Sequence, residues 1–525
     1  MTTRAERNAR QLETSHLMAD LGGRTVRGGA LAVGAQVVRM ALTLATYAVL
    51  ARLLAPEDFG LVAMAGTVTA FVQLFKDLGL STATIQRKEL DQDTVSALFV
   101  MNLAMGLAVM LLAWAVAPLA ARLFDDPRVT TLVMAMAVAM PVSAAGAQHR
   151  ALLNRQMRWW TLHGLDIATM LAGAATAIVL AAGFGVGYWA LVAQSCVGAV
   201  VGVVLLWTFM PWRPTRVGNW TGGRSALRFG LNLTGAKILH YLHRQADNVL
   251  IGWYWGAGEL GFYTRAYTLL TLPLNLVNGP ISSAVIPALS RLQNNDARWR
   301  AAFLEAFAGT NVIGCAIATL LATTAEPLVF LAYGEQWSRS ADVFFYLSLS
   351  MFAATSANTA GWRFVSRGQT DRMLKWSVFS TCVRLITFAL SLPYGIVFFA
   401  QIYAATTFVL FFPHIWYIVR QTPLTISEIL QINMPIIAAG LITVFGVRYT
   451  LMLFDFTSAT VTSASLSLIS ITIAIAVYAA LLAIAIFTFP ILRSQLVLLM
   501  RRFAAYLSTD LATRMNIAYW LERMT

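Results

Sequence analysis

Charged residues are scarce in this 525-residue chain. Asp, Glu, Lys and Arg make up 12% of it, whereas a soluble domain carries about 25%. Hydrophobic residues make up 58%, and a membrane-crossing helix needs about 20 of them. The composition therefore argues against a soluble enzyme and favours a membrane protein with many crossings.

Cysteine is also rare. Cys196, Cys315 and Cys382 all lie in apolar runs, and their odd number and wide spacing predict neither a disulfide framework nor a metal site. The first 28 residues are polar and contain five arginines, so they lack the pattern of a signal peptide. We expect the first apolar run to stay in the membrane as an anchor.

Long apolar runs are abundant, and they set the predicted fold class. Runs of about 18 residues or more, divided at glycine, proline or charge clusters, predict an all-α, polytopic integral membrane protein with about 14 transmembrane helices. The predicted spans begin near residues 28, 59, 94, 129, 162, 187, 226, 259, 301, 341, 376, 397, 427 and 461.

The basic residues are unevenly distributed between alternate connections. Lys and Arg outnumber Asp and Glu by 14, and 28 of the 38 basic residues lie in connections on the side of the termini, against 5 on the other side. The 28 include Arg150 in the predicted connection at 149–161 and Arg363 in that at 363–375. Cytoplasmic loops of membrane proteins are enriched in Lys and Arg. We therefore expect both termini in the cytoplasm and no binding of nucleic acid.

A short motif recurs in the chain. APEDFGL at Ala55–Leu61 and GAGELGF at Gly256–Phe262 begin 201 residues apart, and each follows the first span of a six-span group. This repeat predicts two six-helix lobes plus two C-terminal helices, an arrangement used for alternating access. The predicted parts are a cytoplasmic N-terminal segment (1–27), an N-lobe (28–211), a cytoplasmic linker (212–225), a C-lobe (226–421), spans 13 and 14 (422–490) and an amphipathic cytoplasmic tail (491–525).

Five basic residues fall inside predicted spans. A charge at the centre of a membrane helix costs about 2.5–3.5 kcal/mol, so these residues are expected to face a cavity. Arginine suits phosphate because its planar guanidinium donates paired hydrogen bonds. The predicted ligand of this set is an anion, and the residues are Arg39, Lys237, Arg244, Arg265 and Arg384.

Span 7 carries the densest polar pattern. Lys237, His240, Arg244 and Asp247 follow at intervals of 3, 4 and 3, which places them on one stripe of a helix. An alternative is that Arg244 and Asp247 only pair with each other. For Arg39 and Arg265, the alternative is that the side chain reaches a nearby membrane interface. His240 and His243 could carry protons or donate hydrogen bonds to the ligand.

Prolines mark candidate hinges. Pro273, Pro280 and Pro287 recur every seven residues along span 8, and proline interrupts helical hydrogen bonding. We expect this helix to be kinked or broken. Neither a cofactor nor a metal is expected, and the sequence leaves open whether a H⁺ or a Na⁺ gradient drives movement.

Several stretches resemble Wzx-type polysaccharide exporters, and more closely the colanic-acid-exporter branch of the polysaccharide transporter family, in the multidrug, oligosaccharidyl-lipid and polysaccharide flippase superfamily. The stretches are LARLLAPEDFGLVAM (50–64), DLGLSTATIQRKELDQ (77–92), LLNRQMRW (152–159), DNVLIGWYWGAGELGFYTRAY (247–267) and PALSRLQ (287–293).

The resemblance implies a flippase of the bacterial inner membrane with two six-helix lobes. Its substrate would be an oligosaccharide repeat unit on undecaprenyl pyrophosphate, moved outward for exopolysaccharide, capsule or O-antigen assembly. Other partners would be membrane lipids and the polymerase and co-polymerase of the same pathway. Basic residues in a central cavity would hold the pyrophosphate, and the resemblance implies no catalytic residue.

Two other functions compete with this one. Multidrug efflux by a transporter of the same architecture would need a carboxylate-rich cavity, whereas the predicted cavity is basic. A membrane-embedded polysaccharide polymerase or ligase would be expected to have a large periplasmic loop, and the predicted outer connections are short.

Overall fold

A computed structural model describes residues 8, 11–12, 21–75, 84–85, 90–215, 221–453 and 464–506. Every regular element in these ranges is a helix, as the hydropathy pattern predicts. Internal contacts divide the chain into two compact units, Met1–Thr264 and Arg265–Thr525. The lobe boundary predicted at 212–225 lies earlier in the chain, and the predicted division into lobes stays a prediction.

Helices begin within seven residues of thirteen predicted span starts, and the remaining one, near residue 259, lies inside a longer helix. In the first unit they are α1 (Leu21–Leu53), α2 (Pro56–Gln73), α3 (Gln92–Phe124), α4 (Arg128–Ala137), α5 (Ala139–Arg155), α6 (Trp159–Phe184) and α7 (Trp189–Phe209). The helix α8 (Thr221–Arg291) continues into the second unit, which also holds α9 (Asp296–Thr323), α10 (Ala325–Tyr333), α11 (Ser338–Ser366), α12 (Thr370–Ser391), α13 (Ile396–Val419), α14 (Ile426–Leu453), α15 (Ala464–Thr488) and α16 (Pro490–Tyr506).

The described helices support a multi-pass membrane protein. Ten of them are long and apolar enough to cross a bilayer, or eleven if the bent pair at residues 472–501 counts as one span. One of the ten, Arg244–Arg291, has 48 residues, about twice the length that a single crossing requires. The predicted total of fourteen crossings therefore stays a prediction.

The long helix α8 has its break at a glycine. Gly256 has φ 81° and ψ −168°, a conformation that a residue with a Cβ rarely adopts. The chain remains helical through Pro273, Pro280 and Pro287, and Gly256 is the one non-helical residue inside α8. The break at Gly256 lies where the sequence places the boundary between spans 7 and 8, whereas the break expected at the prolines of span 8 is not found. The hinge role of the prolines stays a prediction.

The two copies of the repeat motif touch each other inside the first unit. A Cβ on Gly60 would lie 1.7 Å from the carbonyl oxygen of Ala257, and a Cβ on Gly261 would lie 1.9 Å from that of Pro56. The two contacts are equivalent, because each joins position six of one motif to position two of the other. Small residues allow membrane helices to approach this closely, so the glycines of the motif are explained by packing.

The two units also share the way in which corresponding helices start and stop. The side chains of Asp91 and Asn295 accept hydrogen bonds from the backbone N–H groups of Thr94 and Arg298, and so cap α3 and α9. The helices α5 and α11 are each followed by a left-handed residue, Met157 and Gly368. In both cases the next backbone N–H bonds back to a carbonyl five residues earlier, that of Leu153 or Phe364.

Three predicted boundaries change. The helix α1 begins at Leu21, before the expected residue 28, and the predicted cytoplasmic connections at 149–161 and 363–375 are partly helical. Arg150 belongs to α5, and Arg363 is fully buried, where it donates a 2.7 Å hydrogen bond to the carbonyl of Arg420. Hydropathy marks the apolar part of a helix, whereas the hydrogen bonding of the helix extends beyond it.

The tail predicted at 491–525 is described only to residue 506. Its helix, α16, is bent by 108° from α15. Leu492 and Val497 are buried, Arg501 is exposed, and Leu499 lies against Gly309 of α9. The described part of the tail is therefore a helix that packs against α9 within the second unit, and its amphipathic, cytoplasmic character stays a prediction.

Candidate substrate-binding site

Arg39 meets an acid that lies far from it in sequence. The helix α1 packs against α6, and this packing places Nη1 of Arg39 3.4 Å from Oδ2 of Asp166. Nη2 of Arg39 donates a 2.8 Å hydrogen bond to Gln36 on the same helix. No acidic residue lies close to Arg39 in the sequence, but the packing of α1 on α6 brings the carboxylate of Asp166 next to it.

Two further residues complete a charge cluster, defined as Arg39, Arg150, His163 and Asp166. Arg150 on α5 donates through Nη2 to Oδ1 of Asp166. Nδ1 of His163 lies 3.3 Å from Nη1 of Arg39. Because a guanidinium can only donate, this hydrogen bond requires a neutral ring with its proton on Nε2.

The charge cluster carries an excess of positive charge. Two guanidinium groups share one carboxylate, and a neutral histidine adds no charge. Arg39 and Asp166 are 26% and 19% exposed, whereas Arg150 is 51% exposed. A partly buried site with one surplus positive charge attracts an anion, and two planar guanidinium groups suit the oxygens of a phosphate.

The polar stripe of span 7 is described only in part. The side chains of Lys237, His240 and His243 lie outside the described residues. Arg244 is exposed, and no ion-pair partner for it is found among the residues that the structure describes. Its predicted neighbour Asp247 is buried and accepts a 2.6 Å hydrogen bond from the Tyr263 hydroxyl.

This contact bears on the alternative in which Arg244 and Asp247 only neutralise each other. Tyr263 follows the break at Gly256, so the break brings the second half of α8 back against Asp247. Asp247 thereby joins two helices of the first unit. No ion pair between Arg244 and Asp247 is found among the described residues, and the role of Arg244 in anion binding stays a prediction.

The other two predicted arginines belong to the second unit. Arg265 and Arg384 are both half-buried. The guanidinium of Arg384 lies 5.9 Å from the centre of the Tyr403 ring, a cation–π distance. A single cavity that holds all five predicted basic residues stays a prediction.

Sequence reasoning missed two members of the charge cluster. Arg150 was counted with a cytoplasmic connection, and His163 stood at the start of a predicted span. A signal was available, since His163 and Asp166 are three residues apart and so lie on one face of α6. The described residues also contain no group of His, Cys, Asp and Glu suited to a metal ion.

Comparison with known proteins identifies the family. A family model described as "polysaccharide biosynthesis protein" matches residues 49–342, more than half of the chain. The chain belongs to this family. The resemblance to Wzx-type exporters is thereby confirmed.

Three characterised relatives have similar sequences. The lipopolysaccharide biosynthesis protein WzxC of Escherichia coli is 24% identical over 68% of this chain and 73% of its own length. The succinoglycan biosynthesis transport protein ExoT of Rhizobium meliloti is 28% identical over 61% of this chain and 64% of its own length. The teichuronic acid biosynthesis protein TuaB of Bacillus subtilis is 23% identical over 72% of this chain and 80% of its own length. The alignments with these family members identify a transporter rather than an enzyme.

Solved structures show the same fold. The lipid II flippase MurJ, in an inward closed conformation, covers 87% of this chain with a TM-score of 0.67 and 14% identity, and 98% of MurJ is matched. An inward-facing MATE transporter of the MOP superfamily covers 74% of the chain with a TM-score of 0.59 and 16% identity, and 94% of it is matched. The chain thus has the all-α fold of this transporter superfamily.

Proposed function

We propose that this protein moves an oligosaccharide linked to a polyprenyl pyrophosphate from the cytoplasmic to the periplasmic leaflet of the bacterial inner membrane. The polymer served would be an exopolysaccharide, a capsule or an O-antigen. The observation that carries the proposal is the charge cluster, since a family of polysaccharide transporters needs a site for the charged end of a lipid-linked sugar. In this account Arg39 binds the pyrophosphate.

The remaining predicted residues extend this site. Lys237, Arg244, Arg265 and Arg384 add positive charge for the pyrophosphate, and His240, His243 and Asp247 order the basic groups. Two six-helix lobes within fourteen spans would expose the site to each side in turn, with Pro273, Pro280 and Pro287 as hinges. Both termini would lie in the cytoplasm, and the polymerase and co-polymerase of the pathway would receive the product.

The composition of the site disfavours the two competing functions. Efflux of cationic drugs calls for surplus negative charge, whereas the charge cluster has two arginines for one carboxylate. A polymerase or ligase needs paired catalytic groups outside the membrane, and the described connections on the predicted outer side are short. The relative ExoT, which is named as a transport protein, also favours transport over polymerisation or ligation.

The proposal is tested by replacing Arg39 with glutamine in cells that depend on this protein for polysaccharide export. A hydrogen bond to a charged group contributes about 1.5–3 kcal/mol, so export should fall about tenfold or more. Lipid-linked oligosaccharide should accumulate in the cytoplasmic leaflet. The joint replacement of Lys237 and Arg244 by glutamine should have the same effect.

Arg128→Gln provides the matched control. Arg128 is an exposed arginine that pairs with Glu57 and Asp126 away from the charge cluster. Its variant should export normally, with all proteins present in the membrane at equal amounts. Full polysaccharide output from Arg39→Gln and from the double variant would contradict the proposed function.

A further inference from the structure

One carboxylate in the charge cluster serves two arginines from different helices. Oδ1 of Asp166 pairs with Arg150 on α5, and Oδ2 lies 3.4 Å from Arg39 on α1. The second contact is weak, because charge-assisted N–H···O bonds are usually about 2.7–2.9 Å long. Asp166 is therefore held mainly by Arg150 and only loosely by Arg39.

Arg39 can exchange this partner for another. Its guanidinium carries several N–H donors in a fork, and the contacts with Gln36, His163 and Asp166 occupy only part of them. The side chain is 26% exposed, so a ligand oxygen can reach it. The positive charge left over by the two arginines favours an arriving anion.

From this geometry, and resting on the proposed function, we infer that Asp166 is an exchangeable counter-ion for Arg39. A phosphate oxygen of the pyrophosphate replaces Asp166 on Arg39, while Arg150 retains Asp166 in place. When the ligand leaves, Asp166 pairs with Arg39 again. Competition from Asp166 thus weakens binding enough for a highly charged head group to be released.

The exchange predicts opposite effects for two neighbouring substitutions. Asp166→Asn removes the competing charge at nearly constant size, so it should tighten binding of inorganic pyrophosphate about tenfold. Arg150→Gln frees Asp166 to pair fully with Arg39, so it should weaken binding several-fold. A misfolded variant cannot bind more tightly, so a gain in affinity separates the two effects from damage to the fold.

The experiment measures pyrophosphate affinity by calorimetry on the purified full chain in neutral detergent. Asp126→Asn is the matched control, since Asp126 also pairs with an arginine but lies outside the charge cluster, and it should bind as the parent does. Unchanged or weaker binding by Asp166→Asn would overturn the inference. So would tighter binding by Arg150→Gln.

Two further arms identify the source of the phosphate and separate this inference from the function. Farnesyl pyrophosphate should show the same order of variants in phosphatidylcholine nanodiscs. If phosphatidylglycerol nanodiscs abolish pyrophosphate binding, the site serves bulk lipid head groups and the inference fails. If Asp166→Asn tightens binding while Arg39→Gln cells export normally, the exchange stands and the proposed function fails.

Discussion

The two units use the same backbone devices but treat their intramembrane arginines differently. Asp91 and Asn295 cap corresponding helices. Arg39 of the first unit shares a carboxylate with a second arginine, whereas Arg384 of the second unit lies over the ring of Tyr403. An aromatic ring stabilises a cation without cancelling its charge, whereas a carboxylate is an alternative partner that competes with a ligand.

This difference indicates that the helix scaffold and the charged side chains of the two units have separate roles. The caps are matched between the two units, and the glycine contacts are matched between the two copies of the repeat motif. A carboxylate shared by two arginines is described for Arg39, so the proposed exchange of partners concerns the first unit.

The largest effect is expected at the paired glycines. Gly60→Ala and Gly261→Ala each place a Cβ within 2 Å of a backbone carbonyl oxygen, and a misfit of this kind typically costs about 1–3 kcal/mol or more. Both variants should lower the melting temperature in detergent and the amount of protein in the membrane by similar degrees. Unequal losses would contradict the equivalence of the two contacts.

Glycines on the same helices provide controls. Gly66 on α2 and Gly258 on α8 have no atom within 4 Å of an added Cβ. Alanine in a helix is favoured over glycine by about 1 kcal/mol, so Gly66→Ala and Gly258→Ala should keep or raise the melting temperature.

The next effect concerns the arginine of the second unit. Arg384→Lys keeps the charge but loses the planar group that stacks on Tyr403, so export should fall by about a factor of two to five, for a cation–π contribution of about 0.5–1 kcal/mol. Arg39→Lys should lose more, because it also loses paired hydrogen bonds to phosphate. Export assays on both variants at equal protein levels make the comparison, and a larger loss for Arg384→Lys would contradict it.

The helix caps should give a smaller and equal pair of effects. Asp91→Ala and Asn295→Ala each remove a side-chain acceptor from a helix start, which costs about 1 kcal/mol of unfolding free energy. Thermal melts should show similar shifts for the two variants. Asp91→Asn and Asn295→Asp preserve the acceptor and should melt close to the parent, and equal losses in these variants would exclude capping as the cause.

The smallest expected effect is a pH-dependent change in stability at Asp126, in the connection between α3 and α4. Hydrogen bonds from Arg128 lower the pKa of the Asp126 carboxyl below its usual 3.8. A lowered pKa in the folded state adds stability that is present above pH 3.8 and disappears as the pH falls through the lowered value. Asp126→Asn should lose less than about 1 kcal/mol at pH 7, because exposed pairs contribute little. This loss should shrink as the pH falls from 3.8 towards the lowered pKa, and a loss that stays constant over that fall would exclude the ion pair as its cause.

The sequence predicted the fold more fully than it predicted the site. Transfer of apolar side chains into a membrane depends mainly on local composition, so hydropathy found the helix starts and the all-α class. The repeat motif around Gly60 and Gly261 was also visible, because close helix contacts demand small residues. The exact number of crossings is less accessible, since it depends on where long helices such as α8 bend.

The partners of the charged residues could not be derived in the same way. Arg39 and Asp166 are 127 positions apart, and only the packing of α1 on α6 brings them together. Arg150 was assigned to a loop because the end of a helix is not marked by hydropathy. A second break was expected at the prolines of span 8, yet the helix continues through them, and only Gly256, with its positive φ, interrupts α8.

The central claim is tested most directly by flipping in reconstituted vesicles. Purified protein would be placed in proteoliposomes with a polyprenyl-pyrophosphate-linked oligosaccharide, and the sugar exposed on the outer leaflet would be removed enzymatically. The parent protein should make nearly all of the remaining sugar accessible, and Arg39→Gln should leave it protected, as protein-free liposomes do. Equal protection with and without the parent protein would contradict the account.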